Sequence, residues 1–202
     1  MPGYKTLIER IGMNLSIATL NDIDEVLELH AKYQIDSIAP EDKKDGFVTT
    51  AFTKEQLTQL INKEQGLFIA RKEGKVVAYI MCGSWKFCSI WPIFTQMIHD
   101  LQNLKYLGQT ITTENSYQYG PVCIDKSVRG SGVLEALFDF AREEMSKRYP
   151  ILVTFINKIN QRSFKAHSRL GLEVITEFSF NTNHYYELVY DTSKKLQQNN
   201  LT

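Results

Sequence analysis

Residues 129–134 read Arg-Gly-Ser-Gly-Val-Leu, between the apolar run YGPVCI and the apolar-periodic segment LEALFDFAREEM. A helix start leaves four backbone N–H groups unpaired and carries the positive end of the helix dipole. Gly130 and Gly132 let that backbone approach an anion without a Cβ in the way, and Arg129 adds an always-ionised donor fork. Strand, glycine loop and helix in this order can cradle a phosphate. The same residues also make a plain left-handed turn, and both readings stand on the loop alone. It is not a Walker loop, since no Gly-Lys-Ser/Thr closes it, and Glu135 occupies the third glycine slot of a dinucleotide fingerprint.

A second polar set follows in NQRSFKAHSRLG. Asn160, Ser163 and His167 fall at i, i+3 and i+7, one face of a helix. Phe164 and Leu170 border that face and turn it toward the sheet. The trio is either a cap plus a satisfied core histidine, or a set of groups waiting for a ligand. Cys82, Cys88 and Cys123 lie in strand-like apolar stretches with no CxxC spacing, so they read as buried reduced thiols rather than a metal site.

These groups need a scaffold. LSIATL (15–20) is β-like, and Asp22 is the expected cap of an amphipathic helix through residue 36. Thr53 caps KEQLTQLINKEQ, and residues 66–85 form two apolar strands around Lys-Glu-Gly-Lys. YQYGPVCI predicts a strand ending near Asp125, then the glycine loop, then a helix from about Ser131 to Arg148. ILVTFI (151–156) predicts a strand buried on both faces. Asn160 opens a helix that Gly171 closes, and two strands meet across Asn-Thr-Asn. The strand–helix–strand unit at about 117–156 implies a parallel pair joined by a right-handed crossover. The tail at 192–202 is polar and frays.

At 202 residues the chain fits one domain spanning 1–202. Lys+Arg and Asp+Glu both number 23, which leaves no whole-chain field to draw nucleic acid. The N-terminus lacks a signal-peptide pattern and no apolar run can cross a bilayer. No membrane association is expected, and the cytoplasm is the expected location.

The stretch 117–175 resembles the GCN5-related N-acetyltransferases. Their pyrophosphate loop, Q/R-x-x-G-x-G/A, reads here as Arg129, Gly130, Ser131, Gly132, Val133 and Leu134. Their next motif is similar to NQRSFKAHSRLGLE, with Asn160, Leu170, Gly171 and Glu173 in place, and GLFIAR..GKVVAYIM looks like their second and third strands. The resemblance implies an α/β fold whose mixed, mostly antiparallel sheet carries one parallel crossover. It implies acetyl-CoA as co-substrate and direct acetyl transfer to a primary amine of a small molecule or peptide. It assigns the loop, Asn160 and Ser163 to the cofactor, and a strand amide among Val122, Cys123 and Ile124 to the thioester oxygen. Glu114, just before the central strand, is the expected base; His99 and Tyr119 are further candidates. His167 stands where the family commonly has a tyrosine acid, and imidazolium at neutral pH would supply that proton. Leu134 departs from the family's glycine or alanine. Both departures also suit an alternative, a CoA- or nucleotide-binding module without transfer activity. The insertion at 86–116 is dense in aromatic residues, which fits a lid over the acceptor, extra core or a homodimer contact.

Overall fold

The computed structural model describes residues 8–196; the last part of the polar tail, 197–202, and the extreme N-terminus, 1–7, lie outside the described residues. Seven strands form one sheet: β1 (Met13–Ile17), β2 (Leu67–Lys72), β3 (Lys75–Gly83), β6 (Ser116–Ile124), β7 (Ile151–Asn157), β8 (Glu173–Phe180) and β9 (Asn183–Asp191). Their spatial order is β1-β2-β3-β6-β7-β9-β8. Every neighbouring pair is antiparallel except β6 and β7, which are parallel. This is the mixed, mostly antiparallel sheet with a central crossover that the sequence predicts. β4 (Lys105–Tyr106) and β5 (Gln109–Thr110) form a separate hairpin. The turn between β8 and β9 places Asn181 and Thr182 at φ +45° and +65°, the left-handed pair that a two-residue hairpin requires.

The sheet buries both faces. On one, α5 (Val133–Ser146) sets Ala136, Leu137, Phe138 and Met145 against Phe68, Ile80, Tyr117 and Leu152. Its stripe is the i, i+3, i+4 pattern of the sequence. On the other face, α1 (Ile23–Tyr33) and α2 (Lys54–Gln59) pack Val26, Leu29 and Leu57 on Ile69, Tyr79 and Met81. Thr53 caps α2 as expected, accepting from the Gln56 amide at 3.2 Å. Asp22 does not cap α1. It precedes the helix, but its carboxylate accepts from the Thr19 amide at 2.6 Å and pairs with Arg71, which also reaches Glu25 at 3.0 Å. A guanidinium on β2 offers Asp22 more than a neutral helical amide does.

The insertion buries one face of its helices against the sheet and leaves the rest exposed or half-buried. α3 (Trp85–Cys88) and α4 (Pro92–Asp100) lay Trp85, Phe94 and Met97 on Ile151, Val153 and Val189, all nearly inaccessible. The Trp85 indole N–H donates to Ser116 Oγ at 2.9 Å, so the buried ring keeps its polar atom satisfied. The three cysteines are buried and unpaired. Among the described residues no helix is long and apolar enough to cross a membrane.

β6 and β7 pair only at Ser116–Ile151, Tyr117–Leu152 and Gln118–Val153. Beyond Gln118 the two part. On its other edge β6 stays with β3, but Ile80 faces Val122 while Cys82 faces Tyr119, so β6 has one residue more than β3 over this span. Gly120 (φ +104°) and Pro121, joined by a cis peptide bond, occupy the bulge, where a proline's missing N–H does no harm to the ladder. A gap opens between the parallel strands as a result.

Candidate functional site

The glycine loop closes one end of that gap. Gly130 and Gly132 have φ +77° and +88°, the left-handed region where a Cβ is costly. Gly132 is the N-cap of α5, whose first residue, Val133, is two later than the helix start expected at Ser131, and Ala136 is the first to bond back, to the Gly132 carbonyl at 3.1 Å. The first-turn amides of Val133, Leu134 and Glu135 therefore have no helical acceptor. Ser131 Oγ ties the loop down by donating to the Val128 carbonyl at 2.7 Å.

Arg129 is held in place from two sides. Its Nε donates to the Ile124 carbonyl at 2.9 Å, and its guanidinium lies 5.0 Å from the centre of the Tyr33 ring. Tyr33 also accepts from the Lys126 amide at 2.8 Å and donates to Asp125 at 3.2 Å. Burial alone would raise the Asp125 carboxyl, but Lys32 at 2.6 Å and Ser127 hold it well below the usual carboxylate range. Thus α1 fastens the loop from a distance in sequence that no local pattern reports.

The opposite wall is α6 (Gln161–Arg169). Asn160 caps it, accepting from the Ser163 amide at 3.2 Å, and donates to the Phe47 carbonyl at 3.2 Å. Between the two helix starts lies a cleft of about 690 Å³, lined among others by Val122, Cys123, Ile124, Arg129, Gly130, Ser131, Gly132, Leu134, Asn160, Ser163 and His167. Val133 is not part of this lining; its side chain is in the core. Burial pushes the Cys123 thiol up to about 12, which removes it as a nucleophile.

Strand direction decides which amides face the gap. The Asp125 N–H donates to Val77 on β3 at 2.9 Å, whereas the Ile124 carbonyl turns away to Arg129. A residue's N–H and C=O share one edge of a strand and alternate along it. The amides of Ile124 and Val122 accordingly point off the β3 edge, toward the gap, and Cys123 points toward β3.

Where the strands part, a second cavity of about 70 Å³ joins the cleft through shared Val122, Asn160, Ser163 and His167. His167 is buried. Its Nδ1 lies 2.8 Å from the Ser163 carbonyl, which fixes the proton there, and Nε2 is 3.3 Å from Tyr119 Oη, which donates to it. Burial lowers the His167 pKa, against a smaller raising effect of the Ser163 carbonyl. The resting ring is therefore neutral, and the imidazolium expected from an unperturbed histidine is not its ordinary state.

Glu114 is not brought to this site. It precedes the end of β6 that remains paired, is exposed, and lines neither cavity; hydrogen bonds from Thr113 and Thr112 lower its pKa. His99 is exposed at the end of α4, away from both linings. Tyr119 is at the centre, on His167. Residues that sequence reasoning missed are Tyr33, Gln118, Thr154 and the segment 46–50, which enter through contacts across the fold. A single sequence holds no signal for them beyond the apolar alternation of β6 and β7.

Among the described residues no cluster of His, Cys, Asp or Glu is fit to hold a metal. No protein-family model and no curated protein matches the sequence. Solved structures do match. An N-acetyltransferase from Staphylococcus aureus Mu50 is 15% identical, with a TM-score of 0.58 over 89% of this chain and 98% of its own. YncA of Salmonella typhimurium, solved with its cofactor acetyl-CoA, is 12% identical, with a TM-score of 0.61 over 92% and 97%. The ribosomal-protein-S18-alanine N-acetyltransferase of Escherichia coli is 10% identical, with a TM-score of 0.57 over 90% and 95%. With its parted parallel strands, glycine-capped helix and near-complete overlap with these structures, the chain has the fold of the GCN5-related N-acetyltransferases.

Proposed function

We propose that the protein is an N-acetyltransferase that moves an acetyl group from acetyl-CoA directly to a primary amine of a small molecule or peptide. The observation that carries this reading is the cleft of about 690 Å³ that runs from the Gly130–Gly132 loop to the gap between β6 and β7. The residues fit the ligand: unpaired α5 amides and Arg129 suit a pyrophosphate, and the open space where a Gly130 Cβ would lie leaves room for close approach. Acetyl-CoA supplies an activated acyl group.

The chain's own groups do the rest. The amides of Val122 and Ile124 are donors for a carbonyl oxygen that gathers charge. His167 is a relay: the proton its neutral Nε2 must take comes from the acceptor's ammonium through the Tyr119 hydroxyl that donates to it, and a lowered pKa makes the resulting imidazolium a ready donor to a departing thiolate. Tyr119 holds the ring by donating to that same nitrogen. Phe94 and Phe155 give the gap an apolar lining, which strengthens these interactions.

The test is thiol release from acetyl-CoA against a panel of amines, alongside the melting temperature with and without CoA. A CoA-dependent rise and amine-dependent release are expected. A rise without release from any amine would assign the chain to a CoA-binding module instead, and no rise at all would remove the CoA reading.

A further inference from the structure

Gln118 lines the small cavity, is 2% exposed, and has a side-chain oxygen with no hydrogen-bond partner. Its orientation is settled by its other end. Nε2 lies 2.8 Å from the Tyr119 carbonyl, which also accepts from Thr154 Oγ1 at 2.6 Å. A carbonyl can only accept, so the Gln118 atom beside it is the nitrogen, and Oε1 is left as an acceptor without a donor. Buried polar atoms are nearly always satisfied, and one that is not is expensive to keep.

The rest of the lining says what kind of donor belongs there. Phe94 and Phe155 form its apolar wall, their rings 5.5 Å apart. The aromatic surface continues outward from Phe94 to Trp91 at 6.0 Å and from Trp91 to Phe52 at 4.9 Å, both rings half-buried. No carboxylate lines the cavity, and the surface that leads out of it is aromatic, so a polyamine's further cationic groups gain less there than an apolar body does. At about 70 Å³ the space admits the amino end of a molecule rather than its body.

We infer that Gln118 Oε1 accepts the N–H of the acceptor amine, and that the acceptor is a monoamine on an aromatic or other apolar body rather than a polyamine or a lysine-rich peptide. The inference rests on the acetyltransferase reading and narrows it. Phenethylamine and tryptamine are the probes, with spermidine as the contrast. Wild type is expected to acetylate the arylalkylamines with a kcat/KM at least ten-fold above that for spermidine. Gln118→Leu, similar in size and without the acceptor, is expected to lose ten-fold or more in kcat/KM for the arylalkylamines, mainly through KM. Its CoA-induced melting shift should be unchanged, and Gln118→Glu should not restore activity to wild type. Equal kcat/KM in wild type and Gln118→Leu would overturn the inference, as would a preference for spermidine. If CoA binds but nothing is acetylated, the transfer reading fails by itself. Amine-induced melting shifts then decide: a shift with phenethylamine that Gln118→Leu abolishes supports the subsite, and its absence in wild type overturns it. Should Gln118→Leu fail to fold, Gln118→Met replaces it under the same criteria.

Discussion

The Nε2 atom of His167 sits 3.3 Å from the hydroxyl oxygen of Tyr119, at the point where β6 and β7 part. Both groups are shut off from solvent, and the helix residue and the strand residue are 48 positions apart. The pair joins the cofactor side of the sheet to the gap. If His167 carries a proton, His167→Phe should lower kcat on the order of 10²–10⁴-fold while leaving the CoA-induced melting shift in place. His167→Tyr should retain more activity than His167→Phe. Equal turnover in wild type and His167→Phe would reduce the ring to packing.

The glycine loop makes a conformational prediction as well as a chemical one. Gly132→Val forces a β-branched residue into φ +88°, a strain of about 1–3 kcal/mol. Chemical denaturation should report that loss, and the CoA-induced melting shift should disappear. Gly130→Ala has open space around its Cβ but also a left-handed φ. It should lose stability of the same order and keep part of the shift.

Trp91 and Phe94 separate core from acceptor wall. Phe94 is 3% exposed, so Phe94→Ala should cost roughly 3–5 kcal/mol. Trp91 is half-buried between Phe94 and Phe52 in the ring series. Trp91→Ala should destabilise less and raise KM for an apolar amine without altering CoA affinity. A variant that unfolds with no selective effect on the amine would place Trp91 in the core alone, and a changed mass in solution would place it in a dimer contact.

Burial, with the Asp100 charge adding to it, raises the Glu187 carboxyl to about 7, and its Oε1 has no partner. The folded state keeps a proton that the unfolded state releases near 4.5. Stability from this group is therefore full below that value, falls as pH rises toward about 7, and stays low above it. The loss is about 3 kcal/mol, at ~1.4 kcal/mol per pH unit. Glu187→Gln should be more stable than wild type at pH 8, with a difference that vanishes by pH 4. Urea unfolding at the two pH values measures it, and a constant difference would show that Glu187 does not titrate in this range.

Much of this protein was legible from local sequence. The Thr53 and Asn160 caps, the Gly171 stop, the Asn181–Thr182 turn and the left-handed Gly130 and Gly132 all stand where residue types predict. Each depends on backbone preference or on a hydrogen bond spanning three or four residues, and periodicity assigned the buried stripe of α5 by the same short-range logic. The Asp22 cap failed because Arg71, 49 residues away, competes for its carboxylate.

What only the tertiary structure decided is where the parts meet. The gap exists because β6 and β7 pair for three residues and then diverge across a bulge, and no property of either strand alone says where pairing ends. Tyr33 reaches Asp125, just before the glycine loop, across 92 residues, and Asn160 reaches Phe47 across 113. Glu114 looked near the site because it is close to it in sequence, yet it lies at the paired end of β6. Burial, too, belongs to the whole fold. The types His167, Gln118 and Glu187 are visible in the chain, but the neutral ring, the unpartnered oxygen and the raised carboxyl arise only when packing removes the water that would otherwise solvate them.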